Sequence, residues 1–569
     1  MNLIPQVKSL ELTGGFLNIK ALHPVAGDLD PRLLSALKKL PCDPEGTVLE
    51  ISLAGDSGEG YVLRISPDRI TIEADSPAGA FYGIQTLRQL FQEEQVPCLV
   101  IQDRPDFSYR GFYHDVTRGK ICTVASIKKL IDDMAYYKLN SLQLYVEHVF
   151  EFEETKGLWP STGYLTKAEI REVGAYCHQH FIDFVPSLST FGHLYELLQQ
   201  PQYHHLRTQK DYAPAPNLWR ERMLHHTIDP LHPESIKLVQ SLIDQYAPCF
   251  DSEYFNICCD ETFDLKRYQD EGLDVGQIYV DFVKKVIAHA QSKGKTVMMW
   301  ADILLEHPKS ISDMSDDIFF LNWYYHDDPI QMENKISLFA NSGKKQIVCP
   351  GTSTWSRLCP KLEVAEYNIA RMIEFGHQYG AAGVLNTNWG DWGNPCSLEL
   401  AMYGLVLGAE KSWSAATVLD EYFYRAVNSL LFGSPTGIQA LKAVSALQRP
   451  VSWRQFTWNY LIQRYQADGE SSFISEEEVQ QVQKAYLQLA EKLNEETWAN
   501  DEYRQELLLA AEGICVMAEL SAKMARYPLG RVTDTEQWLR KYSEKWLAKN
   551  KPSELYRIEE MFIYCETQV

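Results

Sequence analysis

Hydrophobic and polar positions change rhythm twice along the chain. Up to about residue 105 the pattern is mixed. Gly60-Tyr61-Val62-Leu63-Arg64-Ile65 alternates as a strand does, and Arg69-Ile70-Thr71-Ile72-Glu73-Ala74 follows after a turn. Ser76-Pro77-Ala78-Gly79-Ala80 then opens a helix to about Glu94, with a serine cap and proline at its first position. Strand, strand, helix predicts a small α+β domain over 1–105, with Asp103-Arg104-Pro105-Asp106 as linker. From about 108 strand-like runs alternate with amphipathic helices. The strands are Tyr109–Val116, Ser141–Glu147, Phe181–Leu188, Tyr254–Cys259, Thr296–Trp300, Ile318–Trp323, Gln346–Pro350 and Gly380–Asn386. Between them lie helical patterns such as Ser126–Lys138, Lys167–His178, Pro233–Gln245, Gly276–Gln291 and Glu363–Phe375. Strands followed by helical crossovers, eight times over, predict a parallel sheet closed into a (β/α)₈ TIM barrel over 106–410. An open doubly wound sheet is the alternative, but it calls for a glycine-rich first turn, which Val116-Thr117-Arg118-Gly119-Lys120 matches poorly. Beyond about 410 only helical patterns remain (416–431, 435–446, 475–494, 501–525 and 534–548), predicting a helical domain over 411–569.

Barrel active sites form where the strands end, at their carboxy-terminal tips. The first strand ends near Arg110, His114, Asp115 and Arg118, and the second in Tyr145-Val146-Glu147-His148. The third ends at Ser189-Thr190-Phe191-Gly192-His193, the fourth in Asp260-Glu261 and the fifth in Trp300-Ala301-Asp302. Trp323-Tyr324-Tyr325, Thr354-Trp355 and Asn388-Trp389-Gly390-Asp391-Trp392 close the remaining three. Tryptophan walls around carboxylates suit a sugar ring and its hydroxyls. The 13 Trp, 31 Tyr and 23 Phe of the chain alone would be met by well-filled cores; their recurrence at strand ends is what points to carbohydrate. Asp260-Glu261 follows the apolar run Phe255-Asn256-Ile257-Cys258-Cys259. Burial and mutual repulsion are expected to raise the proton affinity of one of the two acids, as a general acid at neutral pH requires. Neighbours on a strand face opposite ways, so both reach one pocket only if the strand turns at its tip. Two solvated rim acids, or an acidic helix start ahead of Thr262, are the simpler alternative.

Charge and cysteine usage narrow the partners. A net charge of −22 excludes nucleic acid or an anionic membrane as the main partner, since both need a basic footprint. No run of about 18 apolar residues is found, so no membrane span is expected. Residues 1–8 lack the basic-then-apolar order of a signal peptide, and the 12 cysteines show no paired spacing. A cytoplasmic protein with free thiols is expected. His204-His205 and His225-His226 invite a metal, but adjacent histidines are poor co-ligands and no Cys/His spacing fits zinc.

The residues resemble glycoside hydrolase family 20, the β-N-acetylhexosaminidases. The likeness rests on Asn256-Ile257-Cys258-Cys259-Asp260-Glu261, on Tyr109-Arg110-Gly111-Phe112-Tyr113-His114-Asp115 and on Ala78-Gly79-Ala80-Phe81-Tyr82-Gly83-Ile84-Gln85-Thr86-Leu87-Arg88-Gln89-Leu90. It spans about residues 50–410, and Thr190–His193 with Tyr145–Glu147 are similar to the hexosaminidase D-like intracellular branch. The family's motif usually starts with His and has Gly before the acids; here Asn256 and Cys258-Cys259 stand instead. The resemblance implies removal of terminal β-linked GlcNAc or GalNAc with retention of configuration, the substrate's own acetamido oxygen acting as nucleophile. It implies that Asp260 steers the acetamido group and stabilises an oxazolinium ion, while Glu261 is acid then base. Arg110 and Asp391 would hold outer hydroxyls, and Trp300, Trp323 and Trp389 would wall the ring. Glu147, His193, Tyr325 and Trp355 complete the expected binding set, with Tyr325 the candidate for the family's acetamido-binding tyrosine. No metal or organic cofactor is implied. The other classes are a metal-assisted barrel hydrolase built on His114, Asp115 and His193, and an inactive sugar-binding protein. In the helical tail, Trp413, Trp453, Trp458 and Tyr460 are candidates for core; Trp453–Tyr460 is also a candidate cover for the barrel mouth or a homodimer contact.

Overall fold

The computed structural model describes residues 1–18, 21–25, 29–55, 57–92, 95–156, 163–210, 218–222, 224, 226–467 and 469–568; His225 of the second histidine pair lies outside them. Six strands form the amino-terminal sheet: β1 (Ser9–Asn18), β2 (Leu22–Val25), β3 (Thr47–Leu53), β4 (Tyr61–Ile65), β5 (Arg69–Ala74) and β6 (Gln95–Asp103). Their order is β1-β6-β4-β5-β3-β2. The helix Pro77–Leu90 packs on the sheet, its first turn closed by the Ser76 hydroxyl accepting from the Gly79 N–H.

Eight parallel strands follow: β7 (Tyr109–Asp115), β8 (Ser141–Val146), β9 (Asp183–Leu188), β10 (Tyr254–Asn256), β11 (Thr296–Trp300), β12 (Phe319–Trp323), β13 (Lys345–Cys349) and β14 (Gly383–Asn388). β14 pairs with β7 from Gly383↔Tyr109 to Asn388↔His114, which closes the barrel. The strands are buried along nearly their whole length, as expected when helices cover the outside and side chains fill the inside. Helices Val124–Tyr136, Lys167–Gln179, Ser235–Tyr246, Val275–Ser292, Pro329–Asn341, Leu362–Gln378 and Leu398–Trp413 supply the outer layer. Thr166 and Glu169 start the second of these with a reciprocal capping box. The crossover from β11 to β12 has only the short helix Asp302–Glu306 and a 3-10 turn. Inside the barrel, Tyr113, Tyr145, Cys258, Met298, Trp300, Leu321, Cys349, Leu385 and Trp389 form a core of their own, which opens upward into the site.

The chain from 421 on is helical, ending in Thr535–Lys549 and Leu555–Thr567. Its last turns return to the barrel mouth. Ser553 Oγ donates to the Gly119 carbonyl at 2.6 Å, and Lys551 N–H to the Ile121 carbonyl at 2.8 Å. Glu554 accepts from Trp219 Nε1 at 3.2 Å and from Arg222, both on the long segment after β9. The tail aromatics are engaged within the chain: Trp453 donates to the Trp392 carbonyl at 2.8 Å and packs on Trp219 and Phe562.

Candidate active site

The fourth barrel strand is shorter than its hydrophobic run. It stops at Asn256, not Cys259, because the Asn256 side chain accepts from the Cys258 N–H at 2.9 Å and turns the backbone. Cys258, Cys259 and Glu261 then adopt left-handed conformations, with φ of 56°, 68° and 47°. Each non-glycine residue there costs on the order of 1 kcal/mol. The bends persist because their carbonyls are held: Thr190 Oγ1 donates to Ile257 O at 2.5 Å and Tyr279 OH to Cys259 O at 2.8 Å. This turn brings Asp260 and Glu261 onto the same imidazole, which a straight strand would not do.

His193 stands between the two acids. Its Nε2 lies 3.4 Å from Asp260 Oδ2 and 3.3 Å from Glu261 Oε2. The ring stacks on His226 at 4.4 Å and 7°, and the His193 N–H donates to His226 Nδ1 at 2.7 Å. Gly192 permits this approach, since a Cβ there would meet the Asp260 carbonyl oxygen at 2.4 Å. Burial pulls the His193 ionisation down, but the charge of Asp260 and hydrogen bonds to both acids outweigh it and carry it up to about 10. Glu261 responds in the opposite sense. Burial pushes its carboxyl up, yet His193, with Arg118 and Arg454 farther out, holds it below the usual range. The rise expected for one member of the pair falls instead on Asp302. It is partly buried, next to the Asp260 charge, and desolvation and that charge push it up to about 8 while its Oδ2 accepts from the Glu261 N–H at 2.9 Å. Asp260 Oδ1 is buried with no hydrogen-bond partner among the described residues.

Aromatic rings gather near Asp260, whose charge acts on Tyr113, Tyr145 and Tyr325. Trp389 packs on Tyr113, Tyr145 and Trp300 at centroid distances of 4.9, 5.1 and 5.7 Å. Trp323 stacks on Tyr325 at 5.0 Å, and Trp355 meets Tyr325 at 5.2 Å. Tyr325 OH accepts from Trp389 Nε1 at 2.8 Å. Next to His193, whose Nδ1 is 3.5 Å from Arg118 Nη2, Arg118 Nη1 donates to Asp391 Oδ1 at 2.9 Å, and its Nε lies 3.5 Å from Glu147 Oε1. The guanidinium sits over the Tyr145 and Trp389 rings at 4.8 and 5.2 Å. Burial alone would depress it, but Tyr145, Asp115, Asp391 and Glu147 keep it firmly charged.

Residues 107–355 match the model of the glycosyl hydrolase family 20 catalytic domain, and residues 1–104 match that of the same family's domain 2. Together the two matches take in more than half of the chain. The chain belongs to glycosyl hydrolase family 20. A β-hexosaminidase of Porphyromonas gingivalis is 29% identical over 288 residues, 43% of this chain and 36% of that protein. The chain spans well under half the length of the curated relatives it matches. The fold is shared with a chitobiase of Flavobacterium johnsoniae (TM-score 0.62, 17% identity, 96% of each chain). It is shared also with a β-hexosaminidase of Streptomyces plicatus (TM-score 0.61, 22% identity, 75% of this chain and 94% of that one).

Within this family 20 barrel, most residues singled out from the sequence gather at one mouth: Asp260, Glu261, His193, Glu147, Trp300, Trp323, Tyr325, Trp355, Trp389 and Asp391. Arg110 does not. It is the second residue of β7, at the opposite end of the strand from Asp115, and its guanidinium is fully buried against the amino-terminal sheet. There it pairs with Glu59 at 2.6 Å, donates to the Phe107 and Lys138 carbonyls, and lies over Tyr82 and Trp413. Arg118, just past the end of β7, is the arginine at the mouth. The rule that chemistry sits at carboxy-terminal strand ends separates the two arginines by position alone.

The set His114, Asp115 and His193 is not assembled as a metal site. His114 contacts Cys122 Sγ and accepts from Asn388 Nδ2 behind the mouth, and burial, then Lys120, lowers it to about 4. Asp115 is taken up by the backbone N–H groups of Thr117, Arg118 and Gly390. His193, Asp260 and Glu261 do bring ligand atoms within 4.8 Å of one another, and so do His205, His232 and Glu234 on the surface. The raised affinity of His193 for its proton opposes a metal at the first group. His204 and His205 are occupied separately, by the Gln199 carbonyl and by Glu234. Sequence reasoning gave no role to Arg118, Asp302 or Arg454 and weighed His226 only as half of a histidine pair that invites a metal; Arg118 and Asp302 carried a signal in their place at strand ends.

Proposed function

We propose that the protein is an exo-acting, retaining β-N-acetylhexosaminidase that hydrolyses terminal GlcNAc or GalNAc through an oxazolinium intermediate. The observation that carries this reading is the buried orphan oxygen of Asp260, whose charge is felt by Tyr113, Tyr145 and Tyr325, beside the more exposed Glu261. A buried acceptor without a donor is costly, and a substrate amide N–H would satisfy it. Holding that amide aims its oxygen at the anomeric carbon. The attack is then intramolecular and orientation supplies much of the rate. Asp260 also offsets the positive charge that grows on the oxazolinium ring.

Glu261 meets the leaving oxygen at the mouth, where its side chain is 24% exposed. The proton it donates is held jointly with His193, 3.3 Å away. After the aglycone leaves, Glu261 as carboxylate takes a proton from the incoming water. Arg118 and its partner Asp391, at the Nδ1 edge of the His193 ring, suit the sugar's outer hydroxyls, consistent with cleavage from chain ends only. Tyr325, already hydrogen-bonded to Trp389, is suited to the acetamido group. The names of the relatives, β-hexosaminidase and chitobiase, agree with this reading.

The finer placement in the hexosaminidase D-like branch, action in the cytoplasm, and the three-part division at 105 and 410 belong to the same proposal. All 12 cysteines being unpaired supports a reducing compartment. The experiment that tests the reaction compares aryl β-N-acetylglucosaminide with the plain β-glucoside. Hydrolysis of the first and near-silence on the second is expected; equal rates would remove the acetamido group from the mechanism.

A further inference from the structure

Asp391 is gripped from two sides by arginines of different parts of the chain. Arg118, from the barrel, binds Oδ1 at 2.9 Å. Arg454, in the first turn of helix Trp453–Tyr465, donates from Nη2 to Oδ2 at 3.2 Å. Arg454 Nε also donates to Ser356 Oγ at 3.2 Å, so one guanidinium ties the loop after β13 to the loop after β14. Both loop residues need such support: Asp391 and Ser356 are left-handed, with φ of 49° and 54°. Next to Arg454, Trp453 Nε1 holds the Trp392 carbonyl at 2.8 Å. From below, Gly393 packs so closely on Gly119 that a Cβ on Gly119 would meet the Gly393 carbonyl oxygen at 2.4 Å. Arg454 lies outside the segments that match the family models.

We propose that Arg454 is a positioning residue through which the helical carboxy-terminal region sets sugar specificity: it locks Asp391 in one orientation toward the outer hydroxyls of the terminal N-acetylhexosamine. This rests on the function proposed above. A carboxylate held at both oxygens cannot follow a hydroxyl that moves from equatorial to axial. The site therefore distinguishes the gluco from the galacto epimer, and the distinction depends on Arg454. The barrel arginine alone leaves Asp391 free to turn about its side-chain bonds, and an adaptable acceptor tolerates both epimers.

The test is steady-state kinetics of wild type, Arg454→Ala and Arg454→Lys on aryl β-N-acetylglucosaminide and β-N-acetylgalactosaminide, with melting temperatures alongside. Wild type is expected to favour one epimer by about tenfold or more in kcat/KM. Arg454→Ala should bring that ratio at least about fivefold closer to one, mainly by raising KM for the preferred epimer, with kcat changed less than about threefold. Arg454→Lys should restore part of the ratio. Arg454 is 55% exposed on its side chain, so melting should be unchanged. A wild-type ratio near one, or a ratio unmoved in Arg454→Ala, overturns the inference. Wild type that hydrolyses neither substrate instead removes the reading of the site on which it stands.

Discussion

The barrel carries a buried charged network at each end, and the two differ in what they leave unfinished. At the lower rim Arg110 pairs with Glu59, and Lys138 with Asp103 and Tyr61, sealing the barrel to the amino-terminal sheet. Every guanidinium nitrogen of Arg110 has an acceptor. The left-handed residues there, Lys138 and Phe181, sit just after helices, where such a conformation ends a helix at little cost. At the upper rim His193, Cys258, Cys259, Glu261, Ser356 and Asp391 are left-handed at strand tips, and Asp260 keeps an unpaired oxygen. Both ends are charged and buried. What marks the upper one as the site is backbone strain together with incomplete hydrogen bonding.

That contrast can be broken at several points. Glu261→Gln is expected to lower kcat on aryl β-N-acetylglucosaminide by about 10²- to 10⁴-fold, and Asp260→Asn by a comparable factor, with folding intact by circular dichroism. Near-normal turnover in either variant would make the upper rim as structural as the lower. Next comes a crossed pair. Arg118→Met should cut kcat/KM by about a hundredfold through lost hydroxyl binding. Arg110→Met should leave kcat/KM within a few-fold but destabilise by about 3 kcal/mol, because Glu59 loses its partner. Thermal melts and kinetics on the same two variants would show the effects exchanged if the assignment is inverted. His193→Gln should move the alkaline limb of kcat/KM. With His193 raised to about 10, the shared proton is kept well above neutrality; without it Glu261 holds that proton alone, and the limb should fall by about two pH units or more. A limb that stays in place would free Glu261 from His193. The smallest effect is expected from Asp302→Asn. Asp302, raised to about 8, is largely neutral at pH 7, so the amide should differ from wild type mainly above pH 8, where Asp302 ionises beside Asp260.

Much of this was legible in the sequence because two periodicities are strong: buried parallel strands read as apolar runs, and the helices between them as amphipathic stripes. Strand ends then located ten of the residues that meet at the mouth. Of the six strands in the amino-terminal sheet only two, β4 and β5, were visible. β1 runs through Ser9–Asn18 mostly exposed, and β6 contains Pro97, so neither alternates cleanly. The tip of β10 was misread because an asparagine side chain, not a change in hydrophobicity, ends the strand. Arg110 was misplaced because a residue's end of the strand matters more than its membership in the motif. Arg454 was invisible from the residues alone: it reaches Asp391 across 63 positions, and its neighbours in sequence look like any helix start.

The clasp between Ser553 and Gly119 joins positions 434 apart, and Glu554 meets Trp219 and Arg222 across more than 330. A ribosome would therefore release the fourth-strand acids long before the struts of their mouth exist. Such long loops close slowly, and half-built barrels with exposed apolar faces are prone to stick. The nascent chain should stay catalytically silent until residues 551–554 emerge, and replacing Ser553 and Glu554 in the folded protein should loosen the rim while sparing the barrel wall.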